Sequence, residues 1–192
     1  MQRSILIPFL LLAPACATVD EALSPHSSSA EVAKSRFERI KSLAGDWTGT
    51  APAEMQGGAM EVRYRITAGG SAVEETIMPG SDHEMVTMYH LDGDKLELTH
   101  YCVIGNQPRM VAASDGATGG EIETIRFEFA GASNMASPEA GHMHQLEMTI
   151  EGKDHLKTHW TFYDGGKPSH DATFDLTRKT AVKTTQVFFG RF

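Results

Sequence analysis

No apolar run in this chain is long enough to cross a bilayer as a helix, since the longest, Ser4 to Ala13, falls well short of the roughly 20 residues needed. Cysteine is nearly absent too, with Cys16 and Cys102 alone, so no disulfide framework holds the chain. Basic residues are outnumbered, 17 Lys and Arg against 25 Asp and Glu, for a net charge of -8. They are scattered rather than clustered, which sets nucleic acid aside as a partner. Also missing are a Gly-x-Ser-x-Gly elbow, a phosphate-cradling glycine loop and a dinucleotide fingerprint, and with them the commonest hydrolase and nucleotide chemistries.

What is present begins with an export signal. Met1-Gln-Arg carries a positive charge, Ser4 to Ala13 is a short apolar core, and Ala13-Pro-Ala-Cys16 supplies small residues at a cleavage point. Residues 1–17 are therefore expected to be a signal peptide. "LLAPAC" resembles a lipoprotein signal, in which Cys16 is lipidated and anchors the mature chain; Pro14 departs from that pattern, and plain cleavage after Ala15 or Ala17 is the other reading. Either route places the protein outside the cytoplasm, as a periplasmic or outer-membrane lipoprotein or a secreted protein, touching membrane only through a lipid. Residues 18–30, polar, Ser-rich and broken by Pro25, read as a flexible tether.

The remaining chain, 31–180, reads as one domain with a tail at 181–192 containing Phe188, Phe189 and Phe192. Ser28-x-x-Glu31 has the form of a capping box, and Ala33, Phe37, Ile40 and Ala44 follow at helical spacing until Gly45 ends the helix. After it come ten strand-like segments, starting near Asp46, Met60, Ser71, His83, Lys95, Pro108, Glu121, His142, His155 and Pro168. The punctuation between them, such as Gly69-Gly70, Asp92-Gly93-Asp94 and Gly165-Gly166, suits tight antiparallel turns. Val62, Tyr64 and Ile66 alternate with Glu61, Arg63 and Arg65, and Ile125, Phe127 and Phe129 with Thr124, Arg126 and Glu128, so each strand has one wet face. Such strands close most economically into an all-β, up-and-down antiparallel barrel of about ten strands with a short N-terminal helix; a two-sheet sandwich is the alternative.

A helix followed by "LAGDWTGTA" (Leu43 to Ala51) at the first strand and "ATFDLTRK" (Ala172 to Lys179) at the last resembles the calycin superfamily. Within it, the chain is similar to bacterial lipocalin-like proteins and to the ten-stranded nitrobindin-like and fatty-acid-binding-protein-like barrels. The resemblance implies that Trp47 packs at the closed end of the barrel and that Arg178 lies over it in a cation-π contact. Gly49 alone follows Trp47 before Ala51 and Pro52, fewer glycines than the nitrobindin pattern carries, so haem does not simply carry over.

If the hairpin Leu91-Asp-Gly-Asp-Lys-Leu96 is regular, Tyr89 faces Leu98, Thr87 faces His100 and Met85 faces Cys102. Met85, Tyr89, Leu91, Leu96 and Leu98 then form the inner face, and His100 and Cys102 point inward with them. The same reasoning puts His144, Leu146, Met148 and Ile150 inside with Leu156, Thr158, Trp160 and Phe162, and His170 inside on the last strand, so that three imidazoles share one lumen. The expected ligand-binding set is Met85, Thr87, Tyr89, His100, Cys102, His144, Met148, Trp160 and His170, a greasy pocket with a few orienting polar groups. Inward Met60, Met85 and Met148 would make its wall adaptable.

The leading expectation is a binding protein for a small apolar or amphipathic ligand. The alternatives are a haem or metal barrel with His100, His144 or His170 as axial ligand, an enzyme using His100 and Cys102, and a filled barrel that acts through its surface. No catalytic or metal-ligating residue is assigned. His142 and His144 share a strand face about 7 Å apart but lack a nearby third ligand, and His83-Glu-Met-Val-Thr87 has threonine where a zinc-protease motif needs histidine. "GASNMASPEAG" (Gly131 to Gly141) is expected to be a lid, with "GNQPR" (Gly105 to Arg109) as the other mouth loop.

Overall fold

The computed structural model describes residues 28–52, 57–114 and 118–180. The expected signal peptide, Cys16, most of the expected tether and residues 181–192 lie outside the described residues.

Helix α1 (Ser29–Lys41) starts as the sequence implies, with Ser28 as N-cap and a reciprocal capping box with Glu31. Arg39 and Lys41 in its last turn meet the negative end of the helix dipole. Phe37 and Ile40 are fully buried, each contributing about 1.5–3 kcal/mol of apolar burial. Ala44 is exposed, contrary to expectation: the helix stops at Lys41, the phase changes, and Leu43 turns inward instead.

Ten strands follow: β1 (Gly45–Thr50), β2 (Ala59–Thr67), β3 (Ala72–Ile77), β4 (Met85–Asp92), β5 (Lys95–Tyr101), β6 (Gln107–Ala112), β7 (Ile122–Ser133), β8 (His142–Glu151), β9 (His155–Asp164) and β10 (Lys167–Arg178). Each pairs antiparallel with its neighbours in sequence, and β10 pairs back onto β1 through Trp47–Arg178, Thr48–Thr177 and Gly49–Leu176, closing the barrel. No edge is left for a foreign strand. At that seam a Cβ on Gly49 would stand 2.3 Å from the Asp175 carbonyl oxygen, so only glycine lets β1 and β10 come together there.

Helix α1 lies across one end of the barrel. Ser29 Oγ donates to Asp94 in the β4–β5 turn at 2.8 Å, and Arg39 reaches the Glu121 and Gly152 carbonyls ahead of β7 and in the β8–β9 turn. Trp47 is buried beneath the helix, its indole N–H on the Leu43 carbonyl at 2.8 Å. The Arg178 guanidinium sits 4.3 Å over the Trp47 ring and donates to the Ser42 and Ala44 carbonyls. Ile66 and Leu91, both expected inside, are 45% and 36% exposed, each beside a turn at the rim, although their strand partners Val73 and Leu96 are buried.

Candidate functional site

The other end of the barrel is built from the connections β3–β4 (residues 78–84), β5–β6 (102–106), β7–β8 (134–141) and β9–β10 (165–166). A cavity of about 280 Å³ opens there, just below the size range of drug-sized ligand sites. Its apolar wall is Met85, Met143, Phe162 and Ala172 from four strands, with Met78 beside them. Cys102, Val103 and Ile104 form one lip, and His83 and His170 supply polar edges. Val103 and Ile104 are about half exposed. A wider groove of about 400 Å³ runs beside α1 at the closed end, but it contains none of the expected site residues.

The mouth loops are tied together. Asn106 Nδ2 donates to the Gly141 carbonyl at 2.8 Å, and Asn134 Nδ2 to the Gly105 carbonyl at 2.5 Å. The two loops expected to share an end do so. The β7–β8 connection is shorter than expected because β7 continues to Ser133, with a register shift against β6 at Arg109/Met110.

The β4–β5 register is the expected one, with Leu91 opposite Leu96, Tyr89 opposite Leu98 and Thr87 opposite His100. Pairing stops at Val86–Tyr101, so Cys102 belongs to the turn and not to a strand partner of Met85, although both reach the cavity. Thr87 and His100 lie in the layer beneath, the Thr87 hydroxyl and His100 Nδ1 sharing a 3.0 Å hydrogen bond. The His100 ring packs on Trp160 with centroids 4.8 Å apart. Tyr89, Met148, Trp160 and Met60 are buried too, and none of them lines the cavity.

The three imidazoles do not share a lumen. A register shift between Met143 and Gln145 puts Met143 on the cavity and takes His144 away from it. His144 stacks on Tyr163, centroids 3.8 Å apart, and on Phe129, and its Nδ1 meets His142 Nε2 at 2.9 Å. The regular 7 Å spacing expected for His142 and His144 is lost to the same bulge. His170 is exposed at the rim, stacked on Phe162. Of the three, only His100 is buried.

Charge in the lumen comes from a residue the sequence reading passed over. Glu75 is 1% exposed; Tyr64 donates to one of its oxygens at 2.6 Å and Tyr89 to the other at 2.8 Å. Burial pushes the carboxyl up against the pull of these hydroxyls, and burial with the nearby carboxylate holds both phenols well above their ordinary range. The signal was legible, since Glu75 has the same parity as Val73 and Ile77, an acidic side chain on an apolar face.

Burial lowers the His100 pKa to about 4, so the imidazole is neutral at pH 7, and burial pushes the Cys102 thiol up. A protonated thiol beside an imidazole already bonded to Thr87 is poorly set up as a nucleophile. His144 is lowered by burial and by the adjacent His142. Among the described residues no three His, Cys, Asp or Glu side chains gather as a metal-ligand set. A tetrapyrrole is also larger than the cavity, so the residues present do not fit haem as they stand.

No family model matches the chain, and no curated protein does. Eight chains of solved structures match. The barrel is similar to that of Rv2717c from M. tuberculosis. The two superpose with a TM-score of 0.52 at 17% identity, over 75% of this chain and 97% of Rv2717c. At that identity the likeness with Rv2717c shows the fold alone.

Proposed function

We propose that this chain is an exported, calycin-like binding protein that holds a small apolar or amphipathic ligand at the mouth of its barrel. The observation that carries the reading is the 280 Å³ cavity, walled by Met78, Met85, Met143 and Phe162 at the mouth end of the barrel. Methionine walls re-pack around differently shaped guests, and the scarcity of charge in the wall favours an apolar body. The leader-like residues 1–17 support export, and Cys16 is the residue that would take a lipid.

The test is a fluorescence titration with N-phenyl-1-naphthylamine, a neutral probe that brightens in apolar sites. Saturable brightening at one probe per chain, reversed by octan-1-ol, supports the reading. No brightening with a folded barrel overturns it. Fractionation of the native host, with the mass of the mature N-terminus, tests export and lipidation separately.

A further inference from the structure

The cavity at the barrel mouth is richer in sulfur than an apolar pocket requires. Met78, Met85, Met143 and Cys102 line it together, each with a thioether or a thiol, and Cys102 is the one cysteine among the described residues. Three of them are set side by side. Ile77 is the strand partner of Met85 and Val86 that of Tyr101, so Met78, Met85 and Cys102 stand where β3, β4 and β5 meet the mouth, about 5 Å apart from strand to strand. Met143 faces them from β8, across the ring from β3.

Two of these side chains reach the cavity only through departures from regular backbone. Ile77 is inward and buried, so continued alternation would turn Met78 outward; its left-handed φ of 54°, uncommon for a bulky residue, leaves it on the cavity instead. The register shift between Met143 and Gln145 does the same for Met143. Leucine in a regular strand would line a greasy wall without either irregularity. Backbone outliers collect at functional sites, and here both deliver a thioether to one space.

The donor chemistry is selective. No carboxylate lines the cavity, which leaves nothing for calcium or magnesium, and the described residues offer no set of three His, Cys, Asp or Glu for zinc. Thioethers and a thiolate are soft ligands and suit Cu(I). Charge balances as well: one thiolate neutralises a monovalent ion, the thioethers are neutral, and no net charge is buried in the apolar wall. The three rotatable bonds of methionine let the sulfurs close on an ion much smaller than the cavity.

We propose that the mouth cavity is a Cu(I) site, the ion held by the thiolate of Cys102 and the thioethers of Met78, Met85 and Met143. Binding displaces the thiol proton to water and leaves the oxidation state of copper unchanged. The ion goes beyond the apolar guest proposed above and occupies the same space.

The test is anaerobic titration of the full-length Cys16→Ser chain, in which Cys102 is the only thiol, with Cu(I) against the chromophoric chelator bicinchoninate, followed by X-ray absorption at the copper edge. One copper per chain, sulfur neighbours and release of bound N-phenyl-1-naphthylamine are the expected results. Cys102→Ser should weaken copper binding at least about a hundredfold, and Met78→Leu and Met143→Leu about tenfold each, because leucine keeps the bulk and removes the donor. Both leucine variants should still bind naphthylamine, and Met88→Leu, on the outer face of β4, should change neither guest. If Cys102→Ser fails to fold by circular dichroism, the leucine variants decide. No copper held against the chelator, retention unaffected by the cysteine and methionine changes, or neighbours of nitrogen and oxygen alone each overturn the copper site. Naphthylamine binding without copper binding leaves the apolar pocket standing; copper binding without naphthylamine binding removes the apolar reading and upholds the metal.

Discussion

At the scale of the residue, the lumen depends on hydrogen bonds whose removal strands a partner. Tyr89→Phe leaves one Glu75 oxygen without its donor in a buried site, and should cost about 1–3 kcal/mol in urea denaturation, more than the same change at exposed Tyr101. Two histidines set opposite pH limits. His100 has a folded pKa of about 4 against an ordinary 6.5, so the unfolded chain takes up the proton first as pH falls. Stability should drop by about 3 kcal/mol between pH 6.5 and 4, and His100→Phe should remove that dependence. His155 runs the other way. Asp175 and then Glu151 bond its two nitrogens and raise its pKa, so its contribution is complete below 6.5 and fades as pH rises through the raised value. His155→Gln should flatten that alkaline limb in pH-dependent melting curves. The Thr87–His100 pair was legible because a two-residue turn at Gly93 dictates the register of β4 and β5, whereas His144 was misplaced because one extra residue in β8 reverses the facing of everything before it.

At the scale of the element, all ten strands and the helix were legible, since alternation and glycine-bearing turns are local signals that neighbouring strands reinforce. Boundaries at the mouth were less so: β4 begins at Met85 rather than His83, and β5 ends at Tyr101 rather than Ile104, because loop–loop hydrogen bonds there replace the strand ladder. Closure itself rests on the short β1–β10 ladder. Gly49→Ala would drive a methyl into the Asp175 carbonyl, and is expected to cost about 1–3 kcal/mol and to raise amide exchange first at residues 47–49 and 176–178.

At the scale of the whole molecule, the barrel is plugged at the α1 end and open at the other, with a cavity between the mouth loops and the Thr87–His100 layer. Its wall was only partly legible: Met85, Cys102 and His170 were expected in a pocket and lie on this one, but Met143 enters the wall through the bulge, Met78 through a turn residue at φ 54°, and His83 through a loop, none of which periodicity reports. Ala172→Leu adds bulk directly to that wall and should weaken N-phenyl-1-naphthylamine binding by at least about tenfold while leaving the melting temperature the same or higher, as read by paired fluorescence and calorimetry.

A vessel stoppered at its base has a single doorway. Any guest of the cavity would pass Val103 and Ile104, on the lip of a mouth whose loops are tied by the bond between Asn106 and Gly141. Two guests of different chemistry would then compete for the same space.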